Sequence, residues 1–361
     1  MKPYKLIISG GGTGGHIFPA VAIALEIKKR YAAADILFVG AIGKMEMEKV
    51  PKAGFPIQGL WISGFQRSLS LQNLLFPFKV ISSLLRSYQI VKTFAPDAVI
   101  GTGGFASGPV LQVAQWLKKP TLIQEQNSYP GITNRILSKK VSKICVAFQG
   151  MERFFPASKT ILTGNPIRPL DVDKKPSTTA KSFFGLDPNK KTVVVLGGSL
   201  GAQRINDLIA QEKEFMLSFG LQILWQCGTR YYEQYKGQEN ENVFIRPFVQ
   251  EMDQLYAAAD FIISRAGAGS LSELSCVGKP LLLIPSPNVT ANHQVHNANA
   301  LAQQGAAFLI EESNLDAFQK TFSQWVTDMP LQAQMKKQLK TLAKPKAAET
   351  IVDEILKMIT R

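Results

Sequence analysis

Four short segments hold residue types that suit contact with a nucleotide. The first is Ser9-Gly10-Gly11-Gly12-Thr13-Gly14-Gly15-His16, the second Gly101-Thr102-Gly103-Gly104-Phe105-Ala106-Ser107-Gly108-Pro109, and the third Gly197-Gly198-Ser199-Leu200-Gly201-Ala202. Each lies where a short apolar run gives way to a longer amphipathic one. Glycines there let the backbone turn sharply and come close to a ligand. The free N–H groups of the following helix, at the positive end of its dipole, attract an anion such as a phosphate. The fourth segment, Ser264-Arg265-Ala266-Gly267-Ala268-Gly269-Ser270-Leu271-Ser272-Glu273, joins small residues to a carboxylate. A carboxylate at Glu273 can accept two hydrogen bonds from a ribose diol. An acid in the first turn of a helix also offsets the dipole, and both readings stay open.

Any one such loop is an ordinary strand-to-helix turn; three of them, spread over both halves of the chain, are not. The first also satisfies G-x-G-x-x-G, the dinucleotide fingerprint, from Gly10 to Gly15. That fingerprint calls for an acid at the end of the second strand to hold a ribose. Here the strand ends at Val39-Gly40 without one, and the glycines of the second half are left unexplained. Two metal-like spacings occur. Asp171-Val172-Asp173 has the D-x-D form but falls in a stretch that reads as linker, where chance accounts for it. His293 and His296 share a predicted helix with no third ligand in view. No catalytic metal is expected, because loop amides and helix dipoles can carry a diphosphate's charge.

Positioning these loops falls to the elements around them. Residues 5–8, 36–39, 98–100, 121–123, 144–147 and 160–162 are short apolar runs that predict buried strands, and 20–31, 74–94 and 109–117 have helical character. This is the βαβ rhythm of a parallel sheet covered by helices. Gly164-Asn165-Pro166-Ile167-Arg168-Pro169 breaks it, since closely spaced prolines continue neither a helix nor a central strand. The rhythm restarts with strands at 192–196, 221–225, 243–245, 261–264 and 280–284 and helices at 204–218 and 251–259, and an amphipathic stretch at 347–359 closes the chain. The expected fold is α/β: two Rossmann-like domains, residues 1–163 and 164–340, with parallel sheets facing a central cleft. Residues 341–361 are expected to form a C-terminal helix that packs back on the first domain. Open sheets of this kind bind ligands beyond the carboxyl ends of their strands.

The chain has 361 residues, 45% apolar and 19% charged, which is enough for two cored domains and too apolar for disorder. A formal charge of +14 favours an anionic partner: nucleic acid, an anionic membrane or a phosphorylated ligand. The aromatic-plus-basic arrangement of base-stacking surfaces is absent, which argues against nucleic acid. Cys145, Cys227 and Cys276 lie far apart without zinc spacing, which points to a reducing compartment. Only Leu6, Ile7 and Ile8 precede the first glycines, too short a run for a signal-peptide core, and no apolar run approaches the ~20 residues of a spanning helix. A cytoplasmic protein, free or peripheral to a membrane, is expected. Residues 71–88 mix Leu71, Leu74, Leu75, Phe76, Phe78, Val80, Ile81, Leu84 and Leu85 with Lys79 and Arg86, between Arg67 and Lys92; Lys139, Lys140 and Lys143 follow. Apolar and basic residues together suit a peripheral membrane face, although at least half of these apolar residues are expected in the core.

Several motifs occur together in one order: Gly11-Gly12-Thr13-Gly14-Gly15-His16 with Phe18-Pro19, the loop at 101–109, Glu125-Gln126-Asn127, Thr163-Gly164-Asn165-Pro166-Ile167-Arg168, the loop at 197–202, and the segment 265–273. As a set, and over essentially the whole chain, they resemble the MurG family, two-domain glycosyltransferases of the GT-B fold. The resemblance implies an inverting transfer of N-acetylglucosamine (GlcNAc) from UDP-GlcNAc to the C4 hydroxyl of N-acetylmuramic acid in lipid I, a polyprenyl-pyrophosphate acceptor. The product is lipid II, for peptidoglycan. It also implies work on an anionic membrane surface at the cytoplasmic face of the bacterial cell membrane, with no nucleic acid and no cofactor.

By the same resemblance, Thr13, Gly14 and Gly15 lie against the donor sugar and diphosphate, and Asn127 and Arg168 contact the nucleotide sugar. Ser199 and its neighbouring amides cradle the diphosphate, Val249 reads the uracil edge through its backbone, Glu273 holds the ribose and Gln294 reads the GlcNAc hydroxyls. His16, one of three histidines, matches the proposed general base, a role that suits an imidazole because it titrates near neutrality. Its other reading is a hydrogen bond to the loop or to a diphosphate oxygen, and Glu125 is the reserve base. Gln124 stands where some members have histidine and Phe105 where many have tyrosine. Neither can do acid–base chemistry, which shifts weight to His16. Two other classes stay open: a related GT-B enzyme such as a UDP-GlcNAc epimerase, and a non-catalytic nucleotide binder.

Overall fold

The computed structural model describes residues 3–64, 75–171, 175–198, 200–289 and 292–359. Ser199, Arg67, Leu71, Leu74, Val172 and Asp173, all singled out above, lie outside the described residues. The chain divides into two compact units, one of Met1–Arg168 with Lys344–Arg361, the other of Pro169–Ala343.

The first unit alternates β1 (Lys5–Gly10), α1 (Gly14–Arg30), β2 (Asp35–Ala41), α2 (Glu46–Lys52), β3 (Ile57–Leu60), α3 (Phe76–Phe94), β4 (Ala98–Gly103), α4 (Ser107–Trp116), β5 (Thr121–Glu125), α5 (Ile132–Leu137), β6 (Lys143–Val146) and β7 (Thr160–Leu162). Its seven strands run parallel in the order β3-β2-β1-β4-β5-β6-β7. The strands are apolar on both faces because helices cover both. Leu6, Ile8 and Ile100 pack with Ile17 and Ile23 of α1. Ile7, Val99 and Ile123 face the other way and pack with Val110 and Leu111 of α4.

The second unit repeats the plan with α6 (Ser177–Phe183), β8 (Lys191–Leu196), α7 (Gln203–Leu217), β9 (Leu221–Gln226), α8 (Tyr232–Tyr235), β10 (Val243–Arg246), α9 (Met252–Ala258), β11 (Phe261–Ser264), α10 (Ala268–Val277), β12 (Leu281–Leu283), α11 (His293–Ala302), β13 (Phe308–Leu309), α12 (Phe318–Thr327) and α13 (Met329–Leu342). Its parallel sheet has the order β10-β9-β8-β11-β12-β13. Val193 and Val195 of β8 are buried in one cluster with Trp225, Phe261, Phe322 and Trp325.

The last helix, α14 (Ala347–Ile359), belongs to the first unit and packs on α1. Ile351, Val352 and Ile355 are buried with Leu6, Ile8 and Ile23, and Arg30 of α1 pairs with Asp353. No helix among the described residues is long and apolar enough to cross a membrane.

Candidate active site

Strand order explains where the loops fall. In the first sheet the chain passes from β1 outward through β2 and β3, then returns to the other side of β1 for β4. Neighbouring β1 and β4 therefore send their helices to opposite faces, which is the switch point where an open α/β sheet leaves a ligand crevice. The first two glycine loops both open there, and their backbones touch: Gly11 N–H donates to Gly103 O at 3.3 Å.

His16 sits in the first turn of α1, half-buried, with Thr13 and Gly15 exposed beside it and Gly14 half-buried. Its Nδ1 lies 2.9 Å from Gly11 O and 3.3 Å from Thr13 Oγ1. A carbonyl can only accept, so Nδ1 carries the proton and Nε2 of the neutral ring keeps its lone pair. The main chain is held from the neighbouring strand, where Thr102 Oγ1 donates to His16 O at 2.8 Å. The Cδ2–Nε2 edge lies over Gly103. A Cβ there would come within 2.8 Å of Cδ2 and 3.0 Å of Nε2, and its φ of +99° favours glycine independently. Gly103 thus keeps a side chain off the edge that bears the lone pair.

Sequence reasoning missed Glu46. This residue opens α2 and is fully buried, with Oε2 accepting from Gly12 N–H and Oε1 from Ala41 N–H, both at 2.9 Å. A side chain at Gly11 or Gly40 would strike it. The end of β2, where no acid stands in sequence, therefore does meet a carboxylate. It arrives six residues later on a helix and faces the first glycine loop.

Glu125 ends β5 with 2% exposure and four donors around its carboxylate. Asn127 N–H and Nδ2 reach Oε1 at 3.0 and 3.2 Å, while Gly131 N–H and Asn134 Nδ2 reach Oε2 at 3.2 and 2.8 Å. With both oxygens occupied, this carboxylate builds the turn that presents Asn127; the arrangement leaves little for a substrate proton. Gln124, also buried, donates to Asn165 Oδ1 at 2.8 Å and ties β5 to the stretch before Arg168. Arg168 itself is exposed at the end of the first unit.

In the second unit β8 and β11 are the switch-point pair. The loop after β8 and the segment after β11 open side by side, and Arg265 N–H donates to Leu196 O at 3.3 Å. Glu273 lies beyond the first turn of α10, which contains no acid, so dipole compensation does not account for it. Tyr256 of α9, 2% exposed, donates its phenol to Glu273 Oε2 at 2.8 Å. Val249 is buried, and its N–H donates to Gln226 Oε1 at 2.9 Å. Gln226 Nε2 also reaches Gly198 O at 3.4 Å, so one side chain spans the β8 loop and the segment after β10. Base reading through the Val249 amide would need Gln226 to share or yield that donor. Gln294 accepts from Ser286 N–H at 2.9 Å. Among the described residues no group of three or more His, Cys, Asp or Glu is placed to hold a metal ion.

Comparison with known proteins follows the same division. Residues 6–146 match the glycosyltransferase family 28 N-terminal domain, and residues 192–351 match the glycosyltransferase family 28 C-terminal domain. A protein of Flavobacterium psychrophilum named UDP-N-acetylglucosamine--N-acetylmuramyl-(pentapeptide) pyrophosphoryl-undecaprenol N-acetylglucosamine transferase is 56% identical over 99% of both chains. A protein of Cytophaga hutchinsonii with the same name is 52% identical over 99% of this chain and 98% of its own. The crystal structure of Acinetobacter baumannii MurG superposes with a TM-score of 0.80 at 27% identity, covering 98% of this chain and all of the other. A UDP-N-acetylglucosamine 2-epimerase shares the fold alone, with a TM-score of 0.62 at 15% identity. Family-model matches in both units, together with identity above one half along the whole length, show that the chain belongs to glycosyltransferase family 28 and, within it, to the MurG family.

Proposed function

We propose that this chain transfers GlcNAc from UDP-GlcNAc to the C4 hydroxyl of N-acetylmuramic acid in lipid I, with inversion, to give lipid II. The observation that carries the catalytic reading is the 2.9 Å contact between His16 Nδ1 and Gly11 O, from which we assign the proton to Nδ1 and the lone pair to Nε2. Nε2 removes the C4 hydroxyl proton as that oxygen bonds to C1 of GlcNAc. The bond from C1 to the diphosphate oxygen breaks, its electron pair leaves with UDP, and configuration at C1 inverts.

Acceptor docking is assigned to the first unit and donor binding to the second. Glu273, steadied by Tyr256, takes the ribose diol, and Gln294 takes the sugar hydroxyls. Ser199 and the amides around it take the diphosphate, whose growing charge needs preorganised donors. Thr13, Gly14, Gly15, Asn127 and Arg168 complete the contacts to the nucleotide sugar. Glu125 serves by shaping the Asn127 turn.

The lipid acceptor calls for a membrane-facing surface, and α3 supplies a candidate. Phe78, Ile81, Leu85 and Tyr88 follow helical spacing and are all exposed, whereas Val80 and Leu84 pack on the core. Lys79, Arg86 and Lys92 share the helix, which suits the anionic cytoplasmic face of the cell membrane.

Purified protein given labelled UDP-GlcNAc and a lipid I analogue is expected to form the disaccharide lipid and UDP. Release of an epimerised sugar without acceptor, or no transfer at all, would overturn the reading.

A further inference from the structure

Glu46 and His16 grip opposite ends of one peptide unit. The Gly11–Gly12 peptide presents its N–H to Glu46 Oε2 and its C=O to His16 Nδ1, each at 2.9 Å. We infer that Glu46 is a positioning residue that acts on His16 through this peptide. The inference rests on the reading of His16 as general base.

Three features support a relay over a simple clasp. First, the carboxylate is fully buried and accepts from two backbone amides, Gly12 N–H and Ala41 N–H. Its charge is therefore poorly screened and directed along the peptide. Second, an amide whose N–H is drawn toward an anion carries more negative charge on its oxygen, because peptide resonance links the two. Gly11 O thus becomes a better acceptor for Nδ1–H and a better partner for the imidazolium that forms as Nε2 takes a proton. A buried carboxylate does this directly for histidine in hydrolase triads; here one peptide lies between. Third, the space is reserved on both sides. A side chain at Gly11 or Gly40 would collide with Glu46, and one at Gly103 would collide with the His16 ring.

The substitution Glu46→Gln keeps the shape but places an amide NH₂ against one of two N–H groups. One amide loses its acceptor, and the negative charge is gone. Three measurements test the relay. In unsubstituted protein labelled with ¹⁵N-histidine, His16 is assigned by the signals lost in His16→Ala. At a pH where the ring is neutral it is expected to show Nδ1 protonated and Nε2 bare, and in Glu46→Gln this preference is expected to weaken. In steady-state assays, Glu46→Gln is expected to lower kcat by about tenfold or more, part of the ~10²–10⁴ that a general base supplies, with KM for UDP-GlcNAc changed by no more than about twofold. In a His16→Ala background, Glu46→Gln is expected to cost nothing further, because its effect passes through the ring.

An Nε2-protonated tautomer in the unsubstituted protein would overturn the relay, as would an equal fractional loss of kcat in both backgrounds. If Glu46→Gln does not fold, Glu46→Asp, which keeps the charge but shortens the reach to Gly12 N–H, is expected to weaken the tautomer preference and to lower kcat only where His16 is present; an equal fractional loss in both backgrounds would overturn the relay. Retention of full turnover by His16→Ala would instead defeat the base reading, a separate outcome.

Discussion

The phenol of Tyr256 and the carboxylate of Glu273 meet at 2.8 Å, joining α9 to α10. A carboxylate that accepts a bond from a buried phenol is held in one orientation. If Glu273 takes the ribose diol, Tyr256→Phe should loosen that grip while the buried ring keeps its packing. The expected result is a KM for UDP-GlcNAc raised roughly threefold to tenfold, in line with the ~0.5–1.5 kcal/mol of one hydrogen bond, with kcat nearly unchanged. With a 2′-deoxyribose donor the same substitution should have much less effect. Steady-state kinetics with both donors checks this.

Glu125 makes a different demand. Its two oxygens accept from Asn127, Gly131 and Asn134. In Glu125→Gln an NH₂ replaces one of those oxygens and faces donors, leaving a buried group unsatisfied. A loss of about 1–3 kcal/mol in stability is expected, read from urea denaturation. Whatever activity falls should track the misplaced Asn127 turn and appear in KM for the donor.

Cys145 gives stability a pH dependence at the alkaline end. Burial, helped by the nearby Glu354 charge, pushes its thiol up to about 12 from the ordinary value of 9.0. Above pH 9 the unfolded chain releases this proton while the folded chain retains it. Stability is therefore unaffected by this group below pH 9 and falls as pH rises from there toward 12, by up to about 1.4 kcal/mol per pH unit. Urea midpoints measured across that window should decline less steeply in Cys145→Ala, although this variant starts from a lower stability.

On α3, Ile81 and Leu85 are 56% and 64% exposed. Replacing both by Asn should leave the fold intact, since neither side chain fills the core. If this face enters a membrane, binding to vesicles containing anionic lipid should weaken by at least about tenfold, given roughly 1 kcal/mol or more for each apolar side chain withdrawn from lipid. Turnover on a water-soluble acceptor should be retained. Vesicle sedimentation alongside the soluble assay separates the two effects.

Much of the architecture was legible because buried parallel strands are written as apolar runs. Leu6, Ile7 and Ile8 announce β1, and Val193, Val194 and Val195 announce β8. The strand Ile57–Leu60 was not legible: Gln58 and Gly59 interrupt the apolar signal, and register with Phe38–Ala41 makes the strand. The start of α1 was expected near residue 20 but lies at Gly14. Glycines are poor helix formers, yet here Thr13 O accepts from His16 and Ile17 N–H, and Thr102 holds His16 O. At the candidate site, the strand-to-helix position of the glycine loops and of the segment that carries Glu273 could be read from type and spacing. Glu46, Tyr256 and Gln226 could not, because each acts through a partner far away in sequence. A search for an acid six residues beyond Gly40, in the first turn of the next helix, would have found Glu46.

The central claim is that His16 Nε2 takes the proton from the acceptor hydroxyl. It is tested most directly by turnover of labelled UDP-GlcNAc with a lipid I analogue, comparing unsubstituted protein with His16→Ala at saturating concentrations of both substrates. The account predicts a fall in kcat of about 10²–10⁴ with an unchanged melting temperature. A folded His16→Ala enzyme that turns over at the unsubstituted rate would contradict it.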